Sequence, residues 1–214
     1  TYTDTGLVRN LHNVLGEDTK LQDLHTGVVV TSYDLYNFGN GKAPFIFNPH
    51  NPELQTVDIW KAARATSAAP TYFDPYCGLD GHVLADGGLY ANHPGEVGLE
   101  EIRPLYPNST FSMLSLGTGV FNESMTATQA QNMGKLDWAS PISGTLITAT
   151  TQGIHKSLTR ELGAHYLRLD TKLDHEIPLD GVSPEELRAL EDLARTYVRD
   201  NPEAIDRAAA LMRP

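Results

Sequence analysis

Strand-like apolar runs alternate with helical stripes along most of the 214-residue chain, and this alternation limits the fold more than any other feature. Leu7, Val8, Leu11, Val14 and Leu15 recur at helical spacing over 6–15, with Gly16 as the stop. The β-branched run TGVVVTSYDL at 26–35 reads as a buried strand, and Asn40-Gly41 predicts a hairpin into the strand PFIFN at 44–48. The Ala-rich stretch 56–69 predicts a helix ended by Pro70. A short strand follows at 82–85 (HVLA), then a helix that Pro94 starts and that runs to about Ile102. FSMLSLGTG at 111–119 reads as a strand closing on a glycine turn, 120–135 as a polar loop, and 141–162 as a long helix. HYLRLD at 165–170 is another strand. Ser183-Pro184-Glu185-Glu186 is a capping box with proline in the first turn, and Asn201-Pro202 opens a last helix to about Met212. Strands alternating with helices predict an α/β fold: a mainly parallel sheet covered by helices.

Composition excludes several function classes. The formal net charge is −11, and nucleic-acid binding needs a basic face to meet phosphates, so no nucleic-acid partner is expected. Peripheral contact with a membrane would have to be made through apolar side chains more than cationic ones. No apolar window approaches the 18 residues of a spanning helix. The polar N-terminus TYTDTGLVRN has no apolar signal-peptide region. A single cysteine, Cys77, forms no internal disulfide and fits a reducing, cytoplasmic compartment.

Residues 82–94, HVLADGGLYANHP, end an apolar run in an acid and two glycines. In open α/β sheets, ligands bind beyond the carboxyl ends of the strands. Asp86 falls at one such end and Gly117-Thr118-Gly119 at another. Asp86 can be a base projecting into a crevice, with Gly87 and Gly88 removing bulk and letting the chain turn. It can equally be an Asp-Gly turn in which the carboxylate bonds its own backbone. Those few letters alone favour the turn.

The wider context shifts the balance. ARATSAAPTYF at 63–73, then DGGLYANHP, then SLGTG, resembles the patatin-like phospholipase family. HYLRLDTKLDHEIPLDGVSPEELRAL is similar to that family's C-terminal strand and helix, and LHNVLGEDTKLQDL with VVVTSYDL to the middle of its domain. The resemblance implies a three-layer α/β/α fold, of which 1–214 would be the C-terminal part of a single domain. It implies lipid acyl-ester hydrolysis (phospholipase A or lysophospholipase type) by a Ser-Asp dyad. In that dyad Asp86 takes the serine proton directly, Gly87, Gly88 and Asn92 support the motif, and no cofactor is required. The implied substrates are phospholipids or other acyl-ester lipids.

One element of the pattern is absent. The nucleophile should stand in G-x-S-x-G, yet no serine here has glycine two residues away on both sides. Ser115 and Ser183 meet half of that pattern; Ser67 and Ser143 meet none. The expected partner is therefore the missing N-terminal part that carries this serine. Ser67, on an Ala-rich helix end, reads as a packing hydroxyl. His93 could complete a Ser-Asp-His order but reads better as a loop residue. Asp174-His175-Glu176 is a weak metal candidate, because neighbours in sequence do not converge easily on one ion. Two rival readings stand beside the dyad: a non-catalytic lipid- or protein-binding module without the nucleophile, and an unrelated hydrolase whose DGG is only a turn.

Overall fold

The computed structural model describes residues 2–36, 44–121, 126–134, 141–175 and 177–213, divided into two compact units, Thr1–Pro107 and Asn108–Pro214. The Asn40-Gly41 turn lies outside the described residues.

In the first unit, α1 (Thr5–Leu15) ends at Gly16, whose φ of 81° is open to glycine and strained for other residues. The strands are β1 (Val30–Asp34), β2 (Pro44–Phe47) and β3 (Leu84–Asp86), in the order β2-β1-β3. Both pairings are antiparallel, with Ser32 opposite Phe45 on one side and Asp86 on the other. The helix α2 (Ile59–Thr66) packs on β1 and β3. It does so through Ala62 and Ala65, which are fully buried with Leu21, Phe47 and Leu84. Alanines one turn apart let the helix axis approach the sheet closely.

This helix is shorter at both ends than its composition suggests. Asp58 is held extended as its N-cap by a bridge to Lys20, and both Lys20 and Lys61 pair with its carboxylate. The lysine bonds, Lys20 first, hold the Asp58 carboxyl below its ordinary range. At the other end Pro70 pushes Ala69 out of the helical region. Beyond β3 come α3 (Gly88–Ala91), which was not expected, and α4 (Gly95–Ile102), with Pro94 at its N-cap. The fully buried Asp34 closes β1: its carboxylate accepts from Tyr36 N–H (3.0 Å) and Val83 N–H (3.2 Å) and meets His82 Nδ1 at 2.6 Å.

In the second unit, β4 (Met113–Leu116) and β5 (Tyr166–Leu169) pair in parallel, joined by a crossover that contains α6 (Pro141–Leu162). The fold is α/β, as expected. The expected parallel pairing is present here; the first unit's strands are antiparallel because β2 and β3 both run back along β1. The segment 120–135, expected as loop, contains α5 (Ala127–Asn132), started by a capping box between Thr126 and Gln129. The capping box at Ser183 and Glu186 starts α7 (Pro184–Asp200), and α8 (Pro202–Leu211) follows. Among the described residues no helix is long and apolar enough to cross a membrane.

Candidate active site

Asp86 is the last residue of β3 rather than the first residue after it. Its backbone is tied on two sides: it pairs with Ser32, and its N–H donates to the Ala68 carbonyl (3.0 Å). Ala68 belongs to ATSAAPTYF, so the two motifs that carried the family resemblance meet at this bond. α2 has already ended at Thr66, and SAAPTYF forms the turn that reaches Asp86.

The Asp86 side chain is half-buried. Oδ1 accepts from Gly88 N–H at 2.6 Å, the local bond of an Asp-Gly turn. Oδ2 has no partner among the described residues. Burial raises the carboxyl above its ordinary range, and the Gly88 N–H opposes that shift. One oxygen is thus fixed by the turn while the other is available, which suits a base and satisfies the turn at once.

The two glycines are required for space, not for unusual dihedrals. Gly87 has φ −63°, which any residue adopts. An added Cβ there would overlap the carbonyl oxygen and hydroxyl of Thr31. At Gly88 a Cβ would lie 2.9 Å from Asp86 Oδ1 and 3.4 Å from Asn92 Oδ1. The side-chain oxygens of Asn92 and Asp86 therefore both border the space beside Gly88. Because the closest atom facing Gly87 is a backbone oxygen of β1, Gly87→Ala should cost about 3 kcal/mol, the upper end of ordinary overpacking. Thermal melting of the protein checks this: a Tm within about 1 °C of wild type would mean that β1 yields freely.

The remaining candidates are engaged elsewhere. Ser67 Oγ donates back to the Ala63 carbonyl (2.6 Å), as a helix-end hydroxyl does. Ser115 Oγ accepts from Arg168, and Ser183 Oγ is the N-cap of α7. His93 is 3% exposed and accepts the Gly95 N–H at the start of α4. Gly117-Thr118-Gly119 wraps the carboxylate of Asp170, which accepts Gly119 N–H (3.0 Å) and fills the space a Gly117 side chain would need. Glu176 lies outside the described residues, and among those described no three His, Cys, Asp or Glu side chains could hold a metal ion. Neither the Ala68–Asp86 bond nor the Thr31 contact has a signal in the sequence pattern, since both depend on how β1, β3 and the turn after α2 assemble.

The patatin-like phospholipase family model matches residues 1–98, the stretch that contains both ATSAAPTYF and DGGLYANHP. A cGAMP-activated phospholipase of Vibrio cholerae is 33% identical over 91% of this chain and 61% of its own length. A cGAMP-activated phospholipase of Escherichia coli is 30% identical over 86% of this chain and 54% of its own. Rat calcium-independent phospholipase A2-gamma is 32% identical over 72% of this chain and 20% of its own. The chain thus spans little more than half the length of the bacterial relatives and a fifth of the rat enzyme. With the motifs meeting at Asp86 and the similarity running along most of its length, the chain belongs to the patatin-like phospholipase family.

Proposed function

We propose that this chain supplies the base of a lipid acyl hydrolase of the phospholipase A or lysophospholipase type. The observation that carries the reading is the Asp86 carboxylate, fixed through Oδ1, partly desolvated, and with Oδ2 unengaged among the described residues. Its partner is a serine in a G-x-S-x-G segment outside these 214 residues, and both compact units belong to one patatin-like domain. The similarity to phospholipases of two kinds, cGAMP-activated and calcium-independent, supports acyl-ester chemistry as what they have in common.

In this mechanism the serine Oγ attacks the ester carbonyl as Asp86 Oδ2 takes its proton. Backbone N–H donors stabilise the oxyanion, one donor contributing on the order of 3 kcal/mol. The tetrahedral intermediate collapses to an acyl-serine, and the proton passes from Asp86 to the leaving alkoxide. Asp86 then activates the water that releases the fatty acid. Substrate enters from a membrane or micelle surface by peripheral contact.

The 214 residues alone should show negligible hydrolysis of a p-nitrophenyl ester, and the protein completed with its G-x-S-x-G segment should show ready turnover. Hydrolysis by the isolated chain that Ser67→Ala abolishes would overturn the assignment of the nucleophile. A completed protein that binds phosphatidylcholine vesicles but leaves them intact would favour the non-catalytic module.

A further inference from the structure

The turn that ties ATSAAPTYF to Asp86 contains a strained residue. Thr71 has φ 76°, and among the described residues it is the one non-glycine residue with positive φ. It sits at the third position of the turn Ala69-Pro70-Thr71-Tyr72, closed by Tyr72 N–H to the Ala69 carbonyl (3.1 Å). With proline second, this is the position at which glycine is strongly preferred. A β-branched residue there is a genuine outlier.

The surrounding anchors show how the conformation persists. Upstream, the Ala68 carbonyl receives the Asp86 N–H. Downstream, Phe73 N–H returns to the Ala69 carbonyl, and the Tyr72 carbonyl receives Tyr2 N–H (2.7 Å). The buried Arg64 donates to the Asp74 carbonyl (3.0 Å) and lies over the Phe73 ring. Held at both ends, the turn keeps its shape despite the strain at position 71. A glycine would give the same backbone without strain, so the backbone does not explain the threonine. Nor does internal packing, because Thr71 is exposed and its side chain has no hydrogen-bond partner among the described residues.

We propose that the Thr71 hydroxyl is a substrate-binding group, donating a hydrogen bond to an acceptor oxygen in the polar region of the ester lipid, a carbonyl or phosphoryl oxygen. This rests on the acyl hydrolase reading of Asp86. The position suits it: Thr71 is three residues from Ala68, a chain reach of at most about 11 Å, and Ala68 is bonded directly to Asp86. A phospholipid whose ester carbonyl lies at the base extends its headgroup region over such a distance.

The test compares the completed enzyme with its Thr71→Gly, Thr71→Ser and Thr71→Val variants, by thermal melting and by kinetics on phosphatidylcholine vesicles. Thr71→Gly should raise Tm by about 2–4 °C and lower kcat/KM by roughly tenfold, the scale of one lost substrate hydrogen bond. Thr71→Ser, which keeps the hydroxyl, should remain within about threefold of wild type, and Thr71→Val, which keeps the shape, should fall with glycine. A Thr71→Gly enzyme that is more stable and equally active overturns the inference while leaving the role of Asp86 intact. So does retention of activity by valine with loss by serine. A completed wild-type enzyme without ester hydrolysis removes the underlying reading, and this inference with it.

Discussion

Asp86→Asn in the completed enzyme should lower kcat by about 10²–10⁴-fold, the range for losing a general base, while Tm at neutral pH stays level or rises slightly. Asparagine keeps the size of the side chain and can still accept the Gly88 N–H through its carbonyl oxygen, so the turn survives. It cannot take the serine proton. The stability forecast follows from the direction of the Asp86 shift. Burial raises its folded pKa above the ordinary value of 3.8, so the folded state binds the proton more tightly than the unfolded state. The charged carboxylate therefore costs the fold nothing below the unfolded pKa. The cost grows as pH rises through the folded pKa and is present in full above it. Asparagine carries no such cost, so any Tm advantage of the variant should be greatest near neutrality and fade in acid. The activity of wild type should fall on the acid side with an apparent pKa above 3.8, since the base must be ionised. If Asp86 were only a turn residue, asparagine would be its most readily tolerated replacement. Equal kcat for the two proteins, with unchanged Tm, would leave it as that.

The turn and the base were not separable in the sequence because both want the same letters; the structure shows the turn bond from Gly88 N–H to Asp86 Oδ1, and the base is the proposal. Helices with strong local signals were legible to within a residue or two. α6 has length and uninterrupted pattern, and α7 has Ser183 and Glu186 at capping distance. α5 carried a similar signal in Thr126 and Gln129, but its surroundings are polar and it buries nothing, so periodicity was silent. α2 was overextended because its ends are set by tertiary partners: Lys20 arrives from far upstream to hold Asp58 extended. The antiparallel β1–β2 pair was legible from the hairpin expectation, whereas the antiparallel β1–β3 pair was not, since a β-branched run reads alike in parallel and antiparallel pairs. For the glycines of DGG the sequence offers the removal of bulk but not the groups that occupy the space. The space at Gly87 is bounded by Thr31, a residue on another strand, and that at Gly88 by the side chains of Asp86 and Asn92. The same holds for Gly117-Thr118-Gly119, whose occupant Asp170 comes from the strand beside it.

Asp34→Ala should cost about 3–5 kcal/mol, because it leaves several buried or partly buried donors without their acceptor, at about 1–3 kcal/mol each. For a protein of this size the Tm should fall by roughly 8–15 °C. The Asp34 carboxylate is 0% exposed and is the acceptor on which the end of β1, the start of β3 and His82 converge. Alanine removes that acceptor and leaves a cavity beside His82, whose ring packs edge-on against Phe45 at 4.7 Å between centroids. Tyr36 is exposed, so its N–H can return to water; those of Val83 and the His82 ring are partly buried and regain less. Asp34→Asn should cost distinctly less, about 1–2 kcal/mol, because its amide oxygen can still accept a backbone N–H and its amide nitrogen can donate to a histidine of the other tautomer. Melting of wild type and both variants, followed by far-UV circular dichroism, separates these cases. A loss below about 1 kcal/mol for alanine would show that β1 and β3 are held by their ladder alone. The consequence for the site runs through the register. Asp34 stands opposite Leu84, and Ser32 opposite Asp86, two residues along the same pair of strands. Loosening one end of a three-residue strand leaves Asp86 held only by Ser32 and Ala68. Asp34→Ala should therefore lower kcat even at temperatures where the protein remains folded, and Asp34→Asn should restore most of it.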